Sequence, residues 1–244
     1  MILGAGRGTR LLPLTLEIPK ILAPVLGLPL LDRLVAWLTR AGAGPLALNT
    51  HHLAAAVRDH LTRREPRLTL FHEDSLLGTG GALRNVAGFW GGDALLVWNG
   101  DIVSAVSPET LLRAHQDRSG PAATLLVQNR PTSSWLLVDR TGRVVGLDSP
   151  RRNSRRVERP PQGEARRMAF NGISVLSPVL RNHMPPEPVF DLIDVLLTAI
   201  AAGEEVWAHD AGEAFFGTTG NLEELAALER GLRERPELLA RWTP

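Results

Sequence analysis

The chain contains no cysteine. That excludes disulfides, thiolate metal centres and a cysteine nucleophile. It has almost no net charge, +1 over 244 residues, so no global field recommends nucleic acid or a membrane surface as partner. No apolar run approaches the roughly 20 residues of a membrane span. The first residues are too few and too glycine-rich for a signal peptide. There is no internal repeat. What remains, 44% apolar and 22% charged residues with a mean hydropathy of -0.02, is ordinary for a globular protein. A cytoplasmic protein is expected, with residues 1–244 forming a single domain large enough for a sizeable core.

Short apolar runs alternate with amphipathic stretches through the first half. "LLDRLVAWLTRAG" (30–42) is apolar at 30, 31, 34, 35 and 38 and stops at Gly42, which predicts a capped helix. Helices are also predicted over 53–63, 81–89 and 108–116, and strands over 45–49, 68–71, 94–98 and 122–129. This alternation predicts an α/β protein, a Rossmann-like three-layer α/β/α arrangement around a mostly parallel mixed sheet. In the second half, "WLLVD" and "VVGLD" flank "RTGR" as a hairpin. Residues 170–176 and "EVWAH" read as strands, 190–203 and 221–235 as helices, the last with Asn221 as N-cap. The arginine-rich "RRNSRRVERPPQGEARR" (151–167) reads as a solvated mobile flap.

"GAGRGTRLLPLT" (4–15) carries three glycines and two arginines in seven positions. A loop of Gly4, Gly6 and Gly8 after a first strand exposes backbone N–H groups suited to a phosphate. It is not a P-loop, since no Gly-Lys pair exists. It is not the dinucleotide fingerprint either, because Thr9 stands at the third glycine and Pro13 opposes an immediate long helix. Arg10 offers a fork suited to phosphate oxygens, and Lys20 a second cation. The plainer alternative is a tight glycine turn with solvated charges.

Residues 4–31, "GAGRGTRLLPLTLEIPKILAPVLGLPLL", resemble the opening signature of the sugar-1-phosphate nucleotidyltransferases almost position for position. "LGTGGALRNV" (77–86), "WNGDI" (98–102), "VERPP" (157–161) and "FNGISVLSP" (170–178) resemble its later segments, over roughly residues 1–230. "NTHHL" and "QNRP" look closest to compact single-domain bacterial members that use UTP or GTP.

The resemblance implies nucleoside-monophosphate transfer from a nucleoside triphosphate to a sugar 1-phosphate, with Mg2+ and release of pyrophosphate. It implies that Gly4, Ala5, Gly6, Gly8, Thr9 and Arg10 hold the triphosphate and that Lys20 bridges the α-phosphate and the sugar phosphate. Asp101, at the C-terminal edge of a predicted strand, is the implied Mg2+ ligand. Gly78, Thr79 and Gly80 are expected to offer bare backbone to the base. Glu73 is either a base acceptor or a solvated glutamate. Asn129, Glu158, Arg159, Asn171 and Gly172 are the implied sugar-phosphate contacts, Arg159 standing where the family has lysine. His51 and His52 are expected to be structural or exposed.

One position departs from the pattern. The family's late W-x-D-[IV]-G-T-P carries a second metal aspartate. Alignment of "FFGTTGNLEEL" (215–225) puts Phe216 at the tryptophan, Thr218 at the aspartate and Gly220 at the glycine. The departure supports a second reading, a domain that binds nucleotide or nucleotide-sugar with little or no turnover, as a sensor or partner subunit. A monomer or small homo-oligomer is expected, with no nucleic-acid or membrane partner.

Overall fold

The structure, a computed structural model, describes residues 1–62 and 68–244. The chain divides into two compact units interleaved in sequence. One comprises Met1–Leu76, Trp98–Pro108 and Phe215–Pro244, the other Leu77–Val97 and Glu109–Ala214.

The first unit is built on parallel pairing. Ile2–Leu3 lies between Leu46–Thr50 and the end of Leu95–Asn99, with Ile2 beside both Leu48 and Trp98. Leu46–Thr50 pairs in parallel with Leu68–His72. The helix read from the apolar spacing spans Leu30–Arg40. Leu30, Leu31, Leu34, Val35 and Leu38 are all buried, each contributing about 1.5–3 kcal/mol of transfer free energy. The helix ends where Gly42 takes φ +74°. The second helix runs Ala54–Thr62, and the last residue of its expected span, 63, lies outside the described residues.

The helix Leu222–Arg233 begins as expected at Asn221, whose side-chain oxygen accepts from the Glu224 N–H at 2.9 Å. A final helix, Pro236–Arg241, brings Trp242 into the core. There it stacks on Trp37 at 5.4 Å between ring centroids. Buried Arg33 ties this end to an earlier segment: its Nε donates to the Val25 carbonyl at 2.9 Å and one Nη to that of Trp242 at 3.2 Å.

The second unit departs from the expected parallel pattern. Ala123–Gln128 pairs in parallel with Val206–Asp210 but antiparallel with the long strand Arg166–Leu176. That strand also runs antiparallel to Trp135–Val138. Trp135–Val138 and Val144–Ser149 form the expected hairpin. Its turn is built on buried Asp139, which accepts from the N–H groups of Thr141 and Arg143. Short connections of this kind enforce antiparallel neighbours; only a crossover permits parallel ones. The protein is therefore α/β with a mixed sheet, its parallel pairing concentrated in the first unit.

The arginine-rich segment is folded, not a free flap. Ser154–Val157 pairs antiparallel with Val144–Ser149, and Arg167 is held by Asp148 at 2.6 Å. Among the described residues, no helix is long and apolar enough to cross a membrane.

Candidate active site

In the first unit the glycine loop follows directly on Ile2–Leu3. Pro13 has the effect expected of it. Instead of a long helix, three single 3-10 turns follow, Thr9–Leu11, Leu14–Leu16 and Lys20–Leu22. Gly8 sits at φ +67°, and a Cβ there would meet Thr15 Cγ2 at 2.8 Å. Its carbonyl accepts from the Thr15 hydroxyl at 2.8 Å and from the Leu11 N–H at 2.8 Å, closing the loop on itself. Gly6 differs. It is exposed, and a Cβ built on it would meet nothing within 4 Å. Among the described residues nothing requires a glycine there. Thr9 and Arg10 are exposed beside it, and Ala5 is buried.

Lys20 and Asp101 meet in an ion pair, Nζ to Oδ2. They are 81 residues apart in sequence. The contact follows from packing: a Cβ on Gly100 would overlap Ile21 Cδ1 at 2.2 Å. Gly100 thus lets the turn carrying Lys20 close onto the strand end that carries Asp101. Position 218 comes to the same place. Phe216–Thr218 is antiparallel to Ile102–Ser104 with Thr218 opposite Ile102, and the Thr219 N–H donates to the Asp101 carbonyl at 3.0 Å. Thr218 thus stands opposite Ile102, and its neighbour Thr219 is the residue bonded to Asp101. Among the described residues, no three His, Asp or Glu side chains group to hold a metal ion.

Two further residues join this cluster. A Cβ on Gly220 would lie 2.1 Å from Glu224 Oε2 and 3.4 Å from Arg10 Nη2, so the Glu224 carboxyl and the Arg10 guanidinium both pack on Gly220. Asn49, at the end of its strand, accepts from the Gly4 N–H at 2.8 Å and donates to Glu73 Oε1 at 2.7 Å. Sequence reasoning missed both roles. The capping-box spacing Asn221-x-x-Glu224 was a usable signal for Glu224; Asn49 offered none.

The site expectations need several corrections. Glu73 is not a solvated glutamate: it is 2% exposed and bonded to Asn49. Gly4 does not offer its N–H to a ligand, because Asn49 takes it. His51 and His52 need no correction: they are bonded to the carbonyls of Glu73 and Thr15 at 2.9 and 3.0 Å.

The remaining candidates lie in the second unit. Gly78, Thr79 and Gly80 open the helix Gly78–Asn85, and their backbone is not bare. The N–H groups of Gly80 and Gly81 donate to the Phe190 carbonyl at 3.0 and 3.2 Å. Thr79 Oγ1 accepts from the Leu192 N–H at 2.8 Å and so caps the helix Leu192–Ala201. A Cβ on Gly80 would lie 2.4 Å from the Phe190 ring, which is why glycine stands there.

Arg159 is diverted. It bonds Glu205 at 2.8 Å and the Gly203 carbonyl at 2.7 Å. Burial works to raise the pKa of Glu205, but the hydrogen bonds and charges of Arg143 and Arg159 outweigh it and hold the group below the usual carboxylate range. Glu158 accepts from Arg156 Nε at 2.6 Å. Asn171 is buried, its oxygen taken by Arg130 Nε at 3.0 Å. Gly172, at φ +71°, lies where the pairing register shifts between Phe170 and Ser174. Asn129 is exposed. Arg130, bonded to Asn171, is the charged residue of this group that sequence reading passed over.

The model of the nucleotidyl transferase family matches residues 1–182. A mannose-1-phosphate guanylyltransferase of Mycobacterium tuberculosis is 34% identical over 131 residues, 52% of this chain and 36% of the relative. An N-acetylmuramate alpha-1-phosphate uridylyltransferase of Caulobacter vibrioides is 35% identical over 109 residues, 42% of this chain and 45% of the relative. The chain thus spans about a third to half of the curated relatives it matches. Among solved structures, HddC from Yersinia pseudotuberculosis complexed with GMP-PN aligns with a TM-score of 0.74 at 21% identity, over 95% of this chain and 97% of that one. The inositol-1-phosphate CTP transferase from T. maritima aligns with a TM-score of 0.76 at 15% identity, over 99% and 94%. These two likenesses establish the Rossmann-like α/β fold.

Proposed function

Because the chain belongs to the nucleotidyl transferase family, we propose that it transfers a nucleoside monophosphate from a nucleoside triphosphate, UTP or GTP, to a sugar 1-phosphate. One observation carries this reading: the Lys20–Asp101 ion pair stands in the same unit as a glycine loop whose Gly6 would bring an added Cβ within 4 Å of nothing among the described residues. A sugar-phosphate oxygen attacks the α-phosphorus, the α–β bridging P–O bond breaks, and its electron pair leaves with pyrophosphate. The nucleophile is already anionic, so the protein needs no strong base. Its work is to align two polyanions and offset their charge.

Loop N–H groups from Ala5 to Thr9 hold the triphosphate, and Arg10 draws on the departing pyrophosphate. Lys20 lies between the α-phosphate and the incoming sugar phosphate, with Asp101 orienting its ammonium. Asn129, Asn171 and Gly172, with Arg130, are the second unit's candidates for the sugar phosphate. The donor set fits a Mg2+ carried by the nucleotide, since such an ion commonly needs only one or two carboxylates beside phosphate oxygens and Asp101 supplies one. When bound it offsets charge on those oxygens. On this reading residues 1–244 are a single nucleotidyltransferase domain, in the cytoplasm, as a monomer or small oligomer without nucleic acid or membrane.

The test is pyrophosphate release, with GTP, UTP, CTP, ATP and dTTP crossed against mannose-, glucose-, N-acetylglucosamine-, N-acetylmuramate- and heptose-1-phosphates. Turnover with one pair supports transfer. Nucleotide binding without turnover across the panel favours the sensor reading, which is supported by the neutral Thr218 at the position where the resemblance implies an aspartate. Asp101→Asn is expected to lower kcat by on the order of a hundredfold or more with an unchanged melting temperature; near-normal activity removes Asp101 from the mechanism. Thr218→Asp is expected to tighten Mn2+ binding, read by electron paramagnetic resonance, by roughly tenfold or more, the effect of a second carboxylate.

A further inference from the structure

Three groups form one hydrogen-bonded line through the buried side of the glycine loop. The Gly4 N–H donates to Asn49 Oδ1 at 2.8 Å, and Asn49 Nδ2 donates to Glu73 Oε1 at 2.7 Å. Asn49 is 4% exposed and Glu73 2%. Donor chemistry alone fixes the amide orientation. A backbone N–H can only donate, so the atom facing Gly4 is the oxygen; the amide nitrogen then faces an acceptor. Glu73 is itself anchored at the strand end. Its N–H donates to the Thr50 carbonyl at 2.8 Å, and its own carbonyl meets His51 Nδ1 at 2.9 Å. Gly4 has no room to shift toward this wall, because a Cβ there would lie 2.5 Å from Leu48 Cδ1.

We infer that Glu73 is a positioning residue for the phosphate loop: through Asn49 it fixes the first backbone unit of the loop, and it does not read the nucleobase. The inference rests on the reading of this loop as a triphosphate cradle. Its physical basis is orientation. With Glu73 Oε1 accepting from its nitrogen and the Gly4 N–H donating to its oxygen, the Asn49 amide has one satisfied orientation, and the Gly4 peptide is held by it. Loop N–H groups downstream then point outward from a fixed start, so a polyanion binds without first ordering them.

The experiment reverses the polarity of the line. Asn49→Asp keeps an acceptor for the Gly4 N–H but sets two carboxyl groups against each other. Asn49→Asp with Glu73→Gln restores the line, the new carboxylate at 49 facing Gly4 and the new amide at 73 donating back to it. Affinity is measured by calorimetry for inorganic tripolyphosphate, GTP and UTP on the full chain, with melting curves alongside. Asn49→Asp alone is expected to weaken all three ligands alike, by roughly tenfold or more, the effect of an unmatched buried polar group. The double variant is expected to recover most of that loss. Glu73→Gln alone is expected to leave the GTP-to-UTP preference unchanged, because either side-chain oxygen can accept from Asn49.

A changed GTP-to-UTP preference in Glu73→Gln, with tripolyphosphate affinity intact, overturns the inference and makes Glu73 a base contact. Additive losses in the double variant also overturn it, since independent sites add and coupled ones do not. If the unaltered protein binds neither tripolyphosphate nor any nucleotide, the cradle reading itself falls and takes the inference with it.

Discussion

Two glycine-dense stretches, GAGRG at 4–8 and GTGG at 78–81, look alike on paper and have different surroundings. In the second, the missing side chains are filled by the protein: a Cβ on Gly80 would meet the Phe190 ring and one on Gly81 the Pro188 carbonyl, each at 2.4 Å. In the first, the glycines divide. Gly8 is filled by Thr15 and Lys20, while Gly6 faces open space. Glycine density marks close approach of backbone to something. Only the neighbours tell whether that something is the fold itself or a ligand.

The contrast breaks most easily at Gly81. Gly81→Ala forces a Cβ against a backbone carbonyl that cannot rotate away, so urea unfolding is expected to show a loss of about 3 kcal/mol. A loss under roughly 0.5 kcal/mol, the ordinary range for an exposed site, erases the distinction. Gly6→Ala carries the next effect. Its φ is not left-handed and the space is open. Stability is expected to stay within about 0.5 kcal/mol while nucleotide affinity falls roughly tenfold, as expected where a ligand must approach bare backbone. Equal destabilisation by both substitutions would mean that the two stretches are used alike.

The smallest effect sharpens the picture of the interior of the second stretch's unit. His115 is buried there between the Thr124 and Ser177 hydroxyls, each at 3.0 Å. Burial pushes its pKa below the ordinary value of 6.5, and His209 shifts the same way, again mainly through burial. The unfolded chain therefore takes up a proton at a pH where the folded chain does not. Stability is complete above the unfolded pKa of 6.5 and declines as pH falls through it. The urea midpoint is expected to be lower at about pH 5.5 than at about pH 7.5, and His115→Gln to flatten that dependence.

Much of the framework was legible. The spacing over 30–42 gave a helix of nearly the right length, because a buried face at period 3.6 is written locally. Pro13 ruled out a long helix after the loop for an equally local reason, a fixed φ and a missing N–H. The antiparallel pairing of Arg166–Leu176 was not legible. A run of apolar residues specifies a strand, but partner and direction depend on segments far away in sequence. The helix Gly78–Asn85 was expected to begin at 81, because glycines lower helix propensity. The Phe190 carbonyl, accepting two of its N–H groups, overrode that preference.

The site divides along the same line. By itself, the sequence determined which side chains are available: the glycine loop, Arg10, Lys20, Asp101, and a threonine where the resemblance implies a second carboxylate. The order of residue types along the chain carries these. Tertiary structure decided what each group faces. It brought Lys20 to Asp101 across a gap closed by Gly100, bonded Thr219 to the Asp101 carbonyl, buried Glu73 against Asn49, and turned Arg159 toward Glu205. A side chain's partner is set by contacts between distant segments, and local pattern carries no record of them.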